Sequence, residues 1–181
     1  MGREEITRGF LILLITAIII CTMASNWDKK IKEFSSIKDE WGGVDKKIIN
    51  LVVALNLSGV ETSISCAGHR GKGSPSPYVT FRGSLKTVEK LLSEFYKTHK
   101  PAGGTKIKIF KGRASFWMYS GREFPIWKRK VDKLAEKLKR GGSIKLAHTT
   151  KEERSAMVVN LPLYQKEMSA FAVFLKKKAG E

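Results

Sequence analysis

A thiol and an imidazole stand three residues apart where a short predicted strand runs into a loop. Cys66 and His69 flank Ala67 and Gly68, and Ser65 precedes the cysteine. An ionised cysteine is a strong nucleophile, and a histidine beside it stabilises the thiolate. Gly68 allows the chain to turn sharply between the two side chains. Ser65, Cys66 and His69 are therefore the candidate catalytic residues.

The same stretch supports other roles that the sequence leaves open. A zinc ion needs three or four protein ligands, and the chain after its N-terminal segment has one cysteine and three histidines, so no metal site is predicted. Arg70 and Lys72 follow in a glycine-rich loop whose backbone N–H groups suit a phosphate. Regular alternation places Cys66 on the strand face of Val60 and Ile64, where it is an inert core residue if that face is buried.

The elements around this stretch are predicted from their apolar periodicity. Asp45 caps a helix that is apolar over much of its surface and stops at Gly59. Val60–Cys66 alternates as a strand, and Tyr78–Phe81 forms a second strand after the loop. All the residues that suggest chemistry lie between these strands, at residues 65–70, which we call the corner.

The rest of the chain also mixes helices and strands. The predicted elements are a helical stripe over Asn26–Trp41, a helix from Ser84, a hairpin of Lys106–Phe110 and Ser115–Tyr119, a basic helix Pro125–Arg140, a short strand Ser143–Ala147 and a last helix that starts at Pro162. His99 ends the helix from Ser84, where a cation suits the helix dipole. Phe116, Trp117 and Tyr119 are interpreted as core residues, with base stacking as the alternative. The pattern predicts an α+β fold, a mixed sheet with helices packed on it, in a single domain.

Residues 1–25 form a hydrophobic segment that precedes this basic α+β domain of residues 26–181. Phe10–Ala24 has no charged residue but is shorter than the roughly 20 residues that span a bilayer comfortably. A membrane anchor, a cleaved signal peptide and a protein that starts near Met23 are all compatible with it. The lysines that follow the segment predict a cytoplasmic body tethered to the membrane by it.

The charge of the chain is strongly unbalanced. Lysine and arginine total 34 residues against 17 aspartate and glutamate residues, a formal net charge of +17. Such an excess favours a polyanionic partner, either nucleic acid, in particular RNA, or an anionic membrane surface. A solvated, lysine-rich surface is the competing explanation. Only two cysteines are present, one of them in the N-terminal segment, so no disulfide framework is predicted.

A longer pattern surrounds the corner. An aspartate is followed by an apolar helix that ends in asparagine and by a strand of the form Thr-x-x-Ser-Cys-x-Gly, at Asp45, Asn56 and Thr62–Gly68. This arrangement, from Phe34 to His69, resembles the wybutosine-synthesis methyltransferase family of tRNA modification. The resemblance implies an α/β fold, S-adenosylmethionine as the methyl donor and a hypermodified guanosine of tRNA as the substrate.

Four residues are candidates for substrate binding. Asp45 and Asn56 enter through the resemblance, and Arg70 and Lys72 join them from the loop. The Ser-Cys-x-Gly-His corner followed by Pro-Tyr-Val is also similar to small uncharacterised bacterial and phage proteins, a similarity that implies no activity.

Three functions follow from these observations. The first is a basic RNA-binding domain related to tRNA-modifying methyltransferases, with the corner lining its pocket. The second is a non-enzymatic module at the inner membrane face that binds anionic lipid or nucleic acid through its lysines. The third is a cysteine-dependent hydrolase that uses Cys66 and His69, which requires a thiol of lowered pKa.

Overall fold

The computed structural model describes residues 26–38, 43–70, 74–83, 85–112, 114–121, 129 and 151–180. Within them the chain forms one α+β domain, as the sequence predicts. Several predictions lie outside the described residues, namely the segment Phe10–Ala24, the helix Pro125–Arg140, the strand Ser143–Ala147 and the loop residue Lys72.

Four strands form the sheet: β1 (Thr62–Cys66), β2 (Tyr78–Phe81), β3 (Ile107–Lys111) and β4 (Phe116–Ser120). Their order is β1-β2-β4-β3, and every neighbouring pair is antiparallel. The sheet is therefore antiparallel rather than mixed. β2 and β3, which are connected by a helix, run in the same direction. They are not neighbours, because β4 lies between them and pairs antiparallel with both.

Helices pack with the sheet in the described ranges of the chain. Residues 26–36 form α1, Ile49–Leu57 forms α2, Leu85–Thr98 forms α3 and Lys151–Lys178 forms α4, while Ala102–Gly104 is a single 3-10 turn. Asp45 does not cap α2 directly, because its carboxylate accepts the N–H of Lys47 in a turn that precedes the helix. None of the described helices is both long enough and apolar enough to cross a membrane.

The last helix is longer than the sequence suggests. Pro162 was expected at its start, yet α4 begins at Lys151 and carries Pro162 in its interior. A proline inside a helix removes one backbone hydrogen bond. Its ring lies on the exposed side of α4, and the buried residues Tyr164, Phe171 and Leu175 continue the helix beyond it. We infer that packing of this buried stripe outweighs the lost bond.

The core lies between the helices and one face of the sheet. Val79, Phe81, Ile107 and Met118 supply the sheet side of this core, and all four are buried. The helices cover them with apolar residues, among them Leu51, Val53, Leu55, Val88, Phe95, Met168 and Phe171. This arrangement buries α2 on most of its surface, as its all-round apolar composition predicts.

Candidate functional site

A β-bulge in β1 decides which side chains face the core. Thr62 lies opposite Phe81 and Ser65 lies opposite Val79, so three steps along β1 match two steps along β2. An extra residue in one strand shifts the alternation of everything that follows it. The prediction that the strand alternates regularly up to Cys66 is therefore wrong.

The hydroxyl of Thr80 holds this bulge in place. Thr80 is buried, and its Oγ1 accepts the N–H of Ile64 at 2.8 Å while donating to the carbonyl oxygen of Ile64 at 3.0 Å. The hydroxyl of Ser63 lies 2.8 Å from Oγ1 of Thr80. A single threonine side chain thus satisfies the backbone groups that the bulge removes from the ladder.

The bulge places Cys66 on the sheet face opposite the core. Residues that are directly opposite in an antiparallel pair share a face, and Cys66 lies opposite Tyr78, which lies opposite Tyr119. Trp117 and Phe110 form the neighbouring pair. We call this side the aromatic face, defined by Tyr78, Phe110, Trp117 and Tyr119. Phe116 points to the core as expected. Tyr119 is also buried, but on the aromatic face, and Trp117 on that face is partly exposed.

Two aromatic rings of this face are in contact. The centroids of Tyr78 and Trp117 lie 4.9 Å apart with the rings tilted by 45°. Tyr78, Trp117 and Phe110 are each partly exposed, and the exposed Lys108 continues the row that begins with Cys66. Burial raises the pKa of the Tyr78 hydroxyl to about 12, with a smaller contribution from the nearby Cys66.

The environment of Cys66 keeps its thiol protonated. Burial raises the pKa of the thiol above its ordinary value of 9.0, and the negative charge of Asp45 adds to this effect. The N–H of Gly68 donates to the sulfur at 3.4 Å and works in the opposite direction without cancelling it. A cysteine nucleophile at neutral pH needs a lowered pKa, so this environment does not support the hydrolase.

His69 lies beside Asp45 at the corner. The Nε2 atom of His69 is 3.8 Å from Oδ2 of Asp45, and the His69 side chain is 48% exposed. A guanidinium nitrogen of Arg154, on α4, lies 3.5 Å from the carbonyl oxygen of His69. The structure therefore brings together three predicted site residues, Cys66, His69 and Asp45, around the start of the loop.

The loop of the corner is fixed by α4. The side-chain amide of Gln165 donates to the carbonyl oxygen of Ala67 at 2.9 Å and lies 3.4 Å from that of Gly68. Gly68 has a φ of +81°, and a Cβ atom there would come within 2.6 Å of the Leu161 side chain. Glycine is thus required both by the backbone conformation and by the close approach of the helix.

The other predicted site residues have different surroundings. Asn56 donates to the carbonyl oxygen of Val52 and to the hydroxyl of Thr62, at the end of β1 away from Cys66. It ties α2 to β1 and is not part of the corner. Arg70 is exposed next to His69, and Lys72 lies outside the described residues.

A second polar cluster, which the sequence did not indicate, joins α3 to α4. Glu167 is only 3% exposed, and its carboxylate accepts the hydroxyl of Tyr96 at 2.7 Å and Nε2–H of His99 at 2.9 Å. The Tyr96 hydroxyl also accepts the N–H of Ile107 at 2.6 Å. Burial, followed by the bond to Glu167, raises the pKa of Tyr96 far above its usual range. The role of His99 is therefore to connect α3 to α4 through Glu167, in addition to any interaction with the dipole of α3.

No metal site emerges within the described ranges, because no three His, Cys, Asp or Glu side chains there lie close enough together to hold an ion. Comparisons with known proteins add no relationship: no family model matches the chain, and neither the curated proteins nor the solved structures contain a match. The corner and the aromatic face are therefore the features of the molecule that bear on its function.

Proposed function

We propose that this protein binds single-stranded RNA across the aromatic face of its sheet, with the corner at one end of the bound strand. The observation that carries the proposal is the group of three partly exposed rings, Tyr78, Phe110 and Trp117, on the sheet face opposite the core. Tyr119 lies beside them on that face and is buried. A ring there adds little to the core, whereas a stacked base covers its apolar surface. Base stacking on aromatic side chains contributes about 1–3 kcal/mol per base.

Charge supports the same partner. The net charge of +17 favours a polyanion. On the sheet itself, the exposed Lys108 lies in the same cross-strand row as Cys66, Tyr78 and Tyr119. Arg70 is exposed at the corner. Cations around a stacking platform are typical of single-strand binders, because they follow the phosphate backbone while the rings take the bases.

The geometry favours binding more than chemistry at the corner. The thiol of Cys66 has a raised pKa. Several backbone groups are already used: Gly68 N–H by Cys66, His69 N–H by Ser74 and the carbonyl oxygen of Ala67 by Gln165. These groups are not available to hold the carboxylate or the adenine of S-adenosylmethionine. Binding of this methyl donor stays a prediction of the resemblance alone.

The proposal is tested by titrating the full-length chain against a fluorescein-labelled single-stranded RNA of about twelve nucleotides, a length that such platforms bind. Fluorescence anisotropy gives the Kd at fixed salt. We expect Trp117→Leu and Tyr78→Leu each to weaken binding about tenfold, because each removes one stacking surface. Lys108→Gln should weaken it less and lower the salt dependence by about one ion.

Phe34→Leu is the matched control, since Phe34 is a partly buried ring on α1 that does not belong to the aromatic face. Its Kd should equal that of the unchanged protein. Equal affinity for double-stranded and single-stranded RNA would contradict the proposal, because a duplex hides its base faces. Unchanged affinity in both aromatic variants, with circular dichroism showing that they are folded, would contradict it as well.

A further inference from the structure

A pocket of about 160 Å³ lies between α2, α4 and Trp27 of α1. The residues that line it include Ile48 immediately before α2, Leu51 on α2, and Met168 and Ala172 on α4. These four residues and Trp27 are all buried. None of the residues that line the pocket belongs to the corner or to the aromatic face, so the pocket is a separate feature of the molecule.

The inner part of this pocket suits a small apolar group. The buried residues of the lining, Trp27, Ile48, Leu51, Met168 and Ala172, have side chains that are apolar apart from the indole N–H. An apolar cavity of about 150 Å³ holds a benzene ring. The volume of this pocket therefore matches one ring or one unbranched chain of six to eight carbons. The two acyl chains of a bilayer lipid are too large for it.

The rim of the pocket is cationic. Lys47, in the turn before α2, and Lys176 of α4 line it together with Asn50 and Ser169, and none of the described residues that line it is acidic. The ammonium of Lys176 lies 4.4 Å from the centroid of the Trp27 ring, at the edge of the apolar part. Lys47 is exposed, and its ammonium makes no hydrogen bond or ion pair within the described part of the chain. Two cations and two hydrogen-bond donors thus surround the mouth of an apolar pocket.

We propose that this pocket binds a free medium-chain carboxylate, an anion with an apolar body of about six to eight carbons. Its chain would pack against Trp27 and Met168, and its carboxylate would meet the ammonium groups of Lys47 and Lys176. Each buried methylene strengthens binding about fourfold. Affinity should therefore rise steeply with chain length until the pocket is full and then level off.

The test uses octanoate labelled with ¹³C at the carboxylate and the full-length chain. The carboxylate resonance reports binding and its approach to an ammonium group. We expect saturable binding of one octanoate, weaker binding of butanoate, and no comparable binding of octylamine, which has the same chain and the opposite charge. Tight binding of octylamine would overturn the proposal, because it would show that the rim does not select an anion.

Three variants and a control locate the binding. Lys47→Gln and Lys176→Gln should each weaken octanoate about fivefold, the effect of removing one exposed ion pair. Lys86→Gln, an exposed lysine of α3 outside the pocket, should leave it unchanged. Ala172→Val should weaken octanoate by filling the pocket, and a thermal melt of each variant establishes that it is folded. Equal weakening by all three lysine variants would overturn the site in favour of general charge attraction.

Vesicles of phosphatidylglycerol separate a free carboxylate from a membrane surface. If the pocket takes a free acid, adding octanoate changes neither the affinity of the protein for the vesicles nor the salt dependence of that affinity. Binding to the vesicles alone, without any saturable octanoate site, would overturn the proposal.

Discussion

Two histidine–carboxylate pairs in this molecule differ in almost every physical respect. His69 and Asp45 lie 3.8 Å apart at the surface, and their side chains are 48% and 25% exposed. His99 and Glu167 lie 2.9 Å apart, and the carboxylate of Glu167 is 3% exposed. His99 also stacks on Phe95, with ring centroids 4.4 Å apart. The first pair is loose and accessible, whereas the second is short, packed and supported by Tyr96.

The difference shows how the molecule divides structural from functional polar groups. A buried carboxylate needs all of its partners, because an unsatisfied charge away from water is costly. Glu167 therefore works as a fixed contact between α3 and α4. A pair in water contributes little to stability, so Asp45 and His69 are able to move without unfolding the domain. A group that must contact a ligand has to be accessible, as Asp45 and His69 are.

The largest expected effect is on the buried pair. Glu167→Ala should lower the free energy of unfolding by about 4 kcal/mol, because it leaves Tyr96 and His99 without their acceptor. Glu167→Gln should lose about half as much, since an amide still accepts one of the two bonds. Urea unfolding of the full-length chain measures both. Glu94→Ala is the control: its carboxylate pairs with Lys178 at the surface, and its loss should be undetectable. Equal stability of the two alanine variants would show that the cluster does not hold the helices.

The second prediction compares the two histidines directly. His99→Ala should lower the free energy of unfolding by about 2 kcal/mol, because a hydrogen bond to a buried carboxylate is lost. His69→Ala should change it by less than about 0.5 kcal/mol, as for other exposed pairs. The same urea titration measures both variants. A large loss in His69→Ala would remove the distinction between the two pairs.

The smallest expected effect concerns the thiol of Cys66. Its raised pKa leaves less thiolate at pH 7, so labelling by iodoacetamide should be severalfold slower than that of free cysteine. The rate should keep rising as the pH increases beyond 9.0, the ordinary pKa of the thiol. Asp45→Asn should raise the rate at pH 7 about twofold, because it removes a nearby negative charge. A Cys21→Ser background confines the label to Cys66, and mass spectrometry counts it.

Rapid labelling at pH 7 would contradict this environment and restore the cysteine hydrolase as a candidate. His69→Ala in the same background tests the remaining link between the two residues. Its labelling rate should match that of the unchanged corner, since the sulfur is bonded by Gly68 N–H rather than by the imidazole.

Much of the fold was predictable because it depends on local pattern. Tyr78–Phe81 has the predicted bounds, and the hairpin of β3 and β4 forms where Gly112 separates two alternating runs. In α3 the apolar residues Val88, Leu92 and Phe95, spaced as on one face of a helix, are buried. Periodicity reports which side of an element is apolar, and in these elements that side meets the core.

The site was less predictable because it depends on contacts between distant residues. The bulge is invisible in the alternation of β1, since Thr80, 16 residues away, supplies the hydroxyl that stabilises it. Glu167 lies 68 residues from His99 and 71 from Tyr96, so no spacing rule connects them. A glutamate within an apolar helical stripe was the one available signal, because such a residue must find a partner.

The bulge has a consequence for how the protein behaves in a crowded solution. β1 is an edge strand, and an edge with regularly spaced N–H and C=O groups is a template onto which another chain adds. The apolar side chain of Ile64, which is 57% exposed, would favour the addition of another chain at such an edge. Thr80 instead pulls the backbone of Ile64 towards the sheet and spoils the regular spacing. At the opposite edge, the exposed Lys108 and Lys111 of β3 repel an incoming strand by charge. The irregular backbone therefore disfavours the addition of a strand at the β1 edge, and the positive charge disfavours it at the β3 edge.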